Sequence, residues 1–154
     1  MQAARGHALV FVEVALGSGR HAFVDCVPIP FNLADKAALM FRKAVDDSSS
    51  EWDQHHSKRF IDASRKSLAQ CIPQGFSYMH VEFGLSSGFV HVIDDERNFD
   101  RALARNVLIG LLQLPEEGMH QRGRKEAQGV QERWAAELRE AYAPFDWTAA
   151  LDQA

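Results

Sequence analysis

His80–Asp95 reads HVEFGLSSGFVHVIDD, and the folding of this stretch decides the architecture of the chain. Three readings compete. Gly84-Leu85-Ser86-Ser87-Gly88 fits the G-x-S-x-G pattern of a nucleophile elbow. That device needs a strand, a strained turn and then a helix inside a large parallel sheet. Here the residues after the turn, FVHVID, are β-branched and aromatic and read as a second strand. The stretch is therefore a β-hairpin, with Ser87-Gly88 closing the turn and the glycine expected to supply positive φ.

The second reading concerns metal. A four-residue loop over 84–87 sets His80 opposite His91 and Glu82 opposite Phe89. Met79, Val81 and Phe83 then share an apolar face with Val90 and Val92. Tyr78, His80, Glu82 and His91 gather on the other face. Two imidazoles and a carboxylate on adjacent strands can hold zinc or iron with positions left open. This makes His80, Glu82 and His91 the candidate metal ligands of a small metal-dependent enzyme. A loop one residue shorter or longer sends the two histidines to opposite faces.

The same pattern occurs earlier. Phe11–Asp25, FVEVALGSGRHAFVD, aligns on the later hairpin without a gap. Val12 falls on Val81, Glu13 on Glu82, Leu16 on Leu85, Ser18-Gly19 on Ser87-Gly88 and Asp25 on Asp94. Two helical patterns follow each hairpin. In the first half, Asn32 is placed to cap a helix with an apolar stripe of Leu33, Ala37, Met40, Phe41 and Ala44. A second helix is expected over about 51–71, opened by Ser50 and Asp53 and carrying Trp52, His56, Phe60, Ala63 and Leu68. In the second half, Asp94 or Asp95 caps a helix with Phe99, Leu103, Val107 and Leu111, apolar almost all round. The last helix carries Val130, Trp134, Leu138 and Ala141 and ends before Pro144. The expected fold is α+β, one domain over 1–154. It consists of two tandem ββαα repeats, about 6–73 and 75–145, whose antiparallel hairpins are covered by four helices about a pseudo-twofold axis.

Composition narrows the function classes. The chain has 154 residues, is 46% hydrophobic and 25% charged, and carries a formal net charge of −4. That is ordinary globular composition, and its mild acidity argues against a nucleic-acid partner. The apolar run ALVFVEVAL over 8–16 is interrupted by Glu13 and is too short for a leader or a membrane span, so a cytoplasmic protein is expected. Cys26 and Cys71 have no zinc-site spacing and read as free thiols. Lys58-Arg59, Arg65-Lys66 and Arg122–Lys125 alternate with acidic clusters and read as solvated helix faces. There is no phosphate loop, dinucleotide fingerprint or catalytic triad.

The principal expectation is thus a non-enzymatic protein that occludes a partner: an immunity protein, an antitoxin or an anti-defence inhibitor, without cofactor. Its contact residues would be the acidic groups Asp94, Asp95, Glu96, Glu116 and Glu117, with Trp147 of the aromatic tail. The partner would be a protein with a basic surface, with a homodimer as a further option built on an exposed hairpin edge.

Overall fold

The structure is a computed structural model that describes residues 6–17, 23–48, 60–115 and 126–153. The described residues form a mixed α+β fold with an antiparallel sheet and four α-helices. The strands are β1 (His7–Ala15), β2 (Val24–Pro30), β3 (Ile61–Asp62), β4 (Ser77–Phe83) and β5 (Ser87–Ile93). The helices are α1 (Ala34–Ser48), α2 (Leu68–Cys71), α3 (Leu103–Leu111) and α4 (Gln128–Tyr142). The order across the 5-stranded sheet is β2-β1-β4-β5-β3, so both hairpins lie in one sheet. They join through their first strands, β1 antiparallel to β4, with Val12 facing Val81. These are the two valines that the internal alignment superimposes.

Beyond the strands, the expected repeat is not what the structure shows. The helix expected over about 51–71 is replaced in its described part by β3, a loop and the short α2. Its first portion, with Trp52, Asp53 and His56, lies outside the described residues. Ser67-Leu68-Ala69-Gln70 is the local cause. The Ser67 hydroxyl meets the Gln70 backbone, and the Gln70 side chain accepts from the Ser67 N–H at 3.1 Å, a capping box that starts a new helix there. In the second half Asp95 caps a turn rather than a helix, and α3 begins only at Leu103, after Asp100 accepts from the Ala102 N–H at 2.8 Å.

The inner sheet face forms the core. Val10 and Val12 of β1, Ile29 of β2, Met79 and Val81 of β4, and Phe89 and Ile93 of β5 are buried on it. Helix α1 presents Ala37, Phe41 and Val45, one side chain per turn, and all three are fully buried. Phe41 packs edge-on against Phe83 with ring centroids 6.0 Å apart. Helix α3 buries Leu103, Ala104, Val107, Leu108, Ile109 and Leu111, the most of any described helix, and leaves Arg105 and Gly110 exposed. It ends at Gln113, whose positive φ of 52° lets Leu114 N–H reach back to the Ile109 carbonyl at 3.0 Å. Among the described residues, no helix is long and apolar enough to cross a membrane.

Candidate functional site

The β4–β5 hairpin closes one residue earlier than the sequence suggests. Phe83 pairs with Ser87, so the loop is 84–86. Gly84, not Gly88, takes positive φ (67°), and its N–H donates to the Leu9 carbonyl of β1 at 2.7 Å. Gly88 is needed for a different reason. A Cβ there would lie 2.7 Å from the Val81 carbonyl oxygen and 3.2 Å from Glu82 Cα, so only hydrogen fits between the strands. Ser86 is followed by strand β5 and not by a helix, so the hairpin reading stands and the elbow geometry is absent.

The shifted register corrects the metal site. His91 pairs with Met79 and lies on the inner face, where its ring stacks on Phe99 at 6.4 Å. His80 pairs with Val90 and Glu82 with Gly88, both on the outer face. His80, Glu82 and His91 therefore cannot hold one ion between them, because period-two alternation separates the histidines by the thickness of the sheet. Among the described residues, no group of three or more histidine, cysteine or acidic side chains converges as a metal site. Cys26 and Cys71 are free thiols, Cys26 exposed on the edge strand β2 and Cys71 half-buried.

The outer face still gathers polar groups. Tyr78 donates its hydroxyl to Glu13 Oε1 at 3.1 Å across the β1–β4 pair. Burial, and then the neighbouring Glu13 charge, raise the Tyr78 pKa above its usual value. Next to them, His80 and Glu82 line a cavity of about 140 Å³. Its other wall comes from Ser64 and Lys66, in the segment between β3 and α2, and from Leu68 at the start of α2. That segment is anchored to the hairpin by Ala63 N–H to the Gly88 carbonyl at 3.1 Å and by Gly88 N–H to Ser64 Oγ at 3.4 Å. Reading this region as helix concealed Ser64 and Lys66 as wall residues. The Ser67…Gln70 capping signature, which requires the chain before it to be non-helical, is the signal that reveals them.

The acidic residues expected at a partner surface divide three ways. Asp94 is exposed after β5. Asp95 accepts from the backbone N–H groups of Arg97 (2.9 Å) and Asn98 (3.4 Å) and from Asn98 Nδ2 (2.8 Å), which hold its carboxyl below the usual range. Glu96 accepts a short hydrogen bond from the Ser77 hydroxyl and another from Gly17 N–H at 2.9 Å, and these hold its pKa down. Asp95 thus shapes the turn after β5 from within, and Glu96 ties that turn to Gly17 and to Ser77 of β4. Glu116 and Glu117 lie outside the described residues. Trp147 stands exposed in the 3-10 stretch Trp147–Gln153.

One further surface stands out. Apart from the half-buried Val130 and Ala141, every residue of α4 is exposed, including Trp134, Leu138 and Tyr142, which fall on one stripe at i, i+4 and i+8. Phe145 and Trp147 continue the exposed apolar surface past the helix.

Residues 51–148 match a family model described as "Protein similar to CwfJ C-terminus 2". The chain is 34% identical over 144 residues to the CWF19-like protein 2 homolog of Caenorhabditis elegans, covering 92% of this chain and 30% of the relative. It is 30% identical over 146 residues to CWF19-like protein 2 of Homo sapiens, covering 94% and 16%. It is 29% identical over 154 residues to the pre-mRNA-splicing factor cwf19 of Schizosaccharomyces pombe, covering 93% and 24%. The chain thus spans less than a third of the length of these relatives. These matches overturn the expectation of an immunity protein, antitoxin or anti-defence inhibitor: the relatives are CWF19-like proteins, and one is named for pre-mRNA splicing. The metal-enzyme alternative gains no support from them either. The chain belongs to the family of proteins similar to the CwfJ C-terminus 2.

Proposed function

We propose that this chain is a docking module of a pre-mRNA splicing assembly, acting by protein contact. The observation that carries the reading is the uncovered stripe of α4. Trp134 is 51%, Leu138 59% and Trp147 70% exposed, within or beside a helix that belongs to the family-matched region. Contiguous exposed apolar surface of this kind marks contact sites. Tryptophan and tyrosine are the side chains most often found to dominate interface energies. An amphipathic helix offered this way suits a groove on a partner. The net charge of −4 favours a partner with a basic surface, through faster encounter rather than tighter packing. The name of the S. pombe relative supports the splicing context. On this reading the chain works in the nucleus, where pre-mRNA is spliced.

The test is affinity purification of the protein from nuclear extract, with the recovered proteins and RNAs identified. Splicing factors and spliceosomal RNAs are expected with the native sequence. A Trp134→Ala/Leu138→Ala double variant is expected to lose the protein partners while its circular dichroism is unchanged. Recovery of no splicing component, or equal recovery with the double variant, defeats the reading. A chain recovered only with itself makes α4 a homodimer surface instead.

A further inference from the structure

The cavity between the β4–β5 hairpin and the segment before α2 has a wall chemistry that the docking reading does not use. It measures about 140 Å³ and is partly open to solvent, so a bound group can extend beyond it. One wall is lined by Lys66 and Ser64, the other by His80 and Glu82, with Ser86 at the turn. Among the described residues, Lys66, His80 and Glu82 have neither an ion pair nor a hydrogen bond to another side chain. Ser64 Oγ accepts from Gly88 N–H and its hydroxyl bonds to the Asp62 carboxylate, so Ser86 carries the wall hydroxyl left to donate. The walls therefore offer a cation, an imidazole and the Ser86 hydroxyl on one hand, and the Glu82 carboxylate on the other.

From this mixture we propose that the cavity binds a ribose together with its phosphate. Lysine, imidazole and hydroxyl groups suit the phosphate oxygens. A carboxylate would repel a bare phosphate, yet it is the ordinary acceptor for the hydroxyls of a ribose. Leu68 and the exposed Leu85 supply apolar wall against which the sugar lies. A phosphopeptide would leave Glu82 facing the anion with no hydroxyl to accept from, so the sugar is the better fit. The net charge of −4 rules against a long electrostatic track. Recognition is therefore confined to one sugar-phosphate unit, from a free nucleotide or from a single-stranded RNA. The site stands apart from α4, so its failure and the failure of the docking reading are separate results.

The experiment is calorimetric titration of the 154-residue chain with AMP, deoxy-AMP, inorganic phosphate, and a short oligoadenylate with its deoxy counterpart. The ribose forms are expected to bind about tenfold or more tighter than the deoxy forms, because a lost hydroxyl leaves a polar partner unpaired. Lys66→Ala and His80→Gln each lower affinity about tenfold, the scale of a charge-assisted bond. Glu82→Gln narrows the gap between ribose and deoxyribose. AMP binding as tightly as the oligonucleotide identifies a free nucleotide as the source, and binding of the ribo-oligonucleotide alone identifies a strand. Failure of both AMP and the ribo-oligonucleotide to bind overturns the proposal. So does equal binding of deoxy ligands or inorganic phosphate, or an undiminished affinity in Lys66→Ala, whose exposed side chain takes no part in the core.

Discussion

The inner face of the sheet and helix α4 carry the same kind of periodic apolar pattern and meet opposite fates. Phe41, Met79 and Val81 are wholly buried where α1 lies on the sheet. Trp134 and Leu138 repeat at the same helical spacing as Ala37, Phe41 and Val45, yet half or more of their surface faces solvent. A stripe states that a face gains free energy from being covered. It does not state what covers it. In α1 the cover lies in the same chain, brought there by strand pairing. In α4 the described residues leave the stripe open, and this is why it carries the functional reading.

The sharpest way to break this contrast is to cut both patterns. Phe41→Ala empties a fully buried site and is expected to cost about 3–5 kcal/mol, read as a fall in the urea midpoint. A loss as small as that of a surface residue would mean that α1 is not the core helix. Gly88→Ala comes next, at about 1–3 kcal/mol, because the methyl group meets the Val81 backbone and not a side chain that can move. The same variant should distort the cavity beside Glu82, visible as shifts in its neighbouring amide signals.

Glu96→Gln tests the turn that joins β1, β4 and the residues after β5. The Glu96 carboxyl is held below its ordinary value of 4.5 by the Ser77 hydroxyl and then by the Gly17 N–H. A depressed carboxylate pKa means that the stabilisation is present above pH 4.5 and is lost as pH falls through the folded value. The native chain should therefore lose stability below pH 4.5 more steeply than Glu96→Gln. Asp62, Asp95 and Asp146 are held down as well, so the difference between the two curves is the quantity to read. Parallel curves would show that the Glu96 bonds contribute nothing. The smallest effect on stability is expected at α4. Trp134→Ala should change it by no more than about 0.5 kcal/mol, as exposed sites do. Association with a partner should weaken by more than about 1 kcal/mol.

Much of this molecule was legible in its residues. HVEFGLSSGFVHVIDD is a hairpin because its turn residues interrupt two alternating runs, and Val107 sits in a nearly all-apolar, buried helix because its neighbours are apolar all round. These are local matters, settled by propensity and periodicity over a few residues. The candidate site was harder to read. Lys66 and Ser64 were hidden inside a pattern that passes for helix, although the Ser67…Gln70 cap marks where that helix must begin.

Loop length is the clearest divide between the two levels. Residue identities alone determine that β4 and β5 pair, that the chain turns after Phe83, and that α1 and α3 have apolar faces to bury. Whether the loop holds three residues or four is a matter of register, and Gly84 N–H meets the Leu9 carbonyl of the distant strand β1, a long-range pairing that local chemistry cannot specify. The register with a three-residue loop sets His91 on the inner face against Phe99, while His80 and Glu82, two residues apart on β4, share the outer face. Tertiary structure thus dissolved one candidate site and assembled another, because a one-residue step in register exchanges the two faces of a strand.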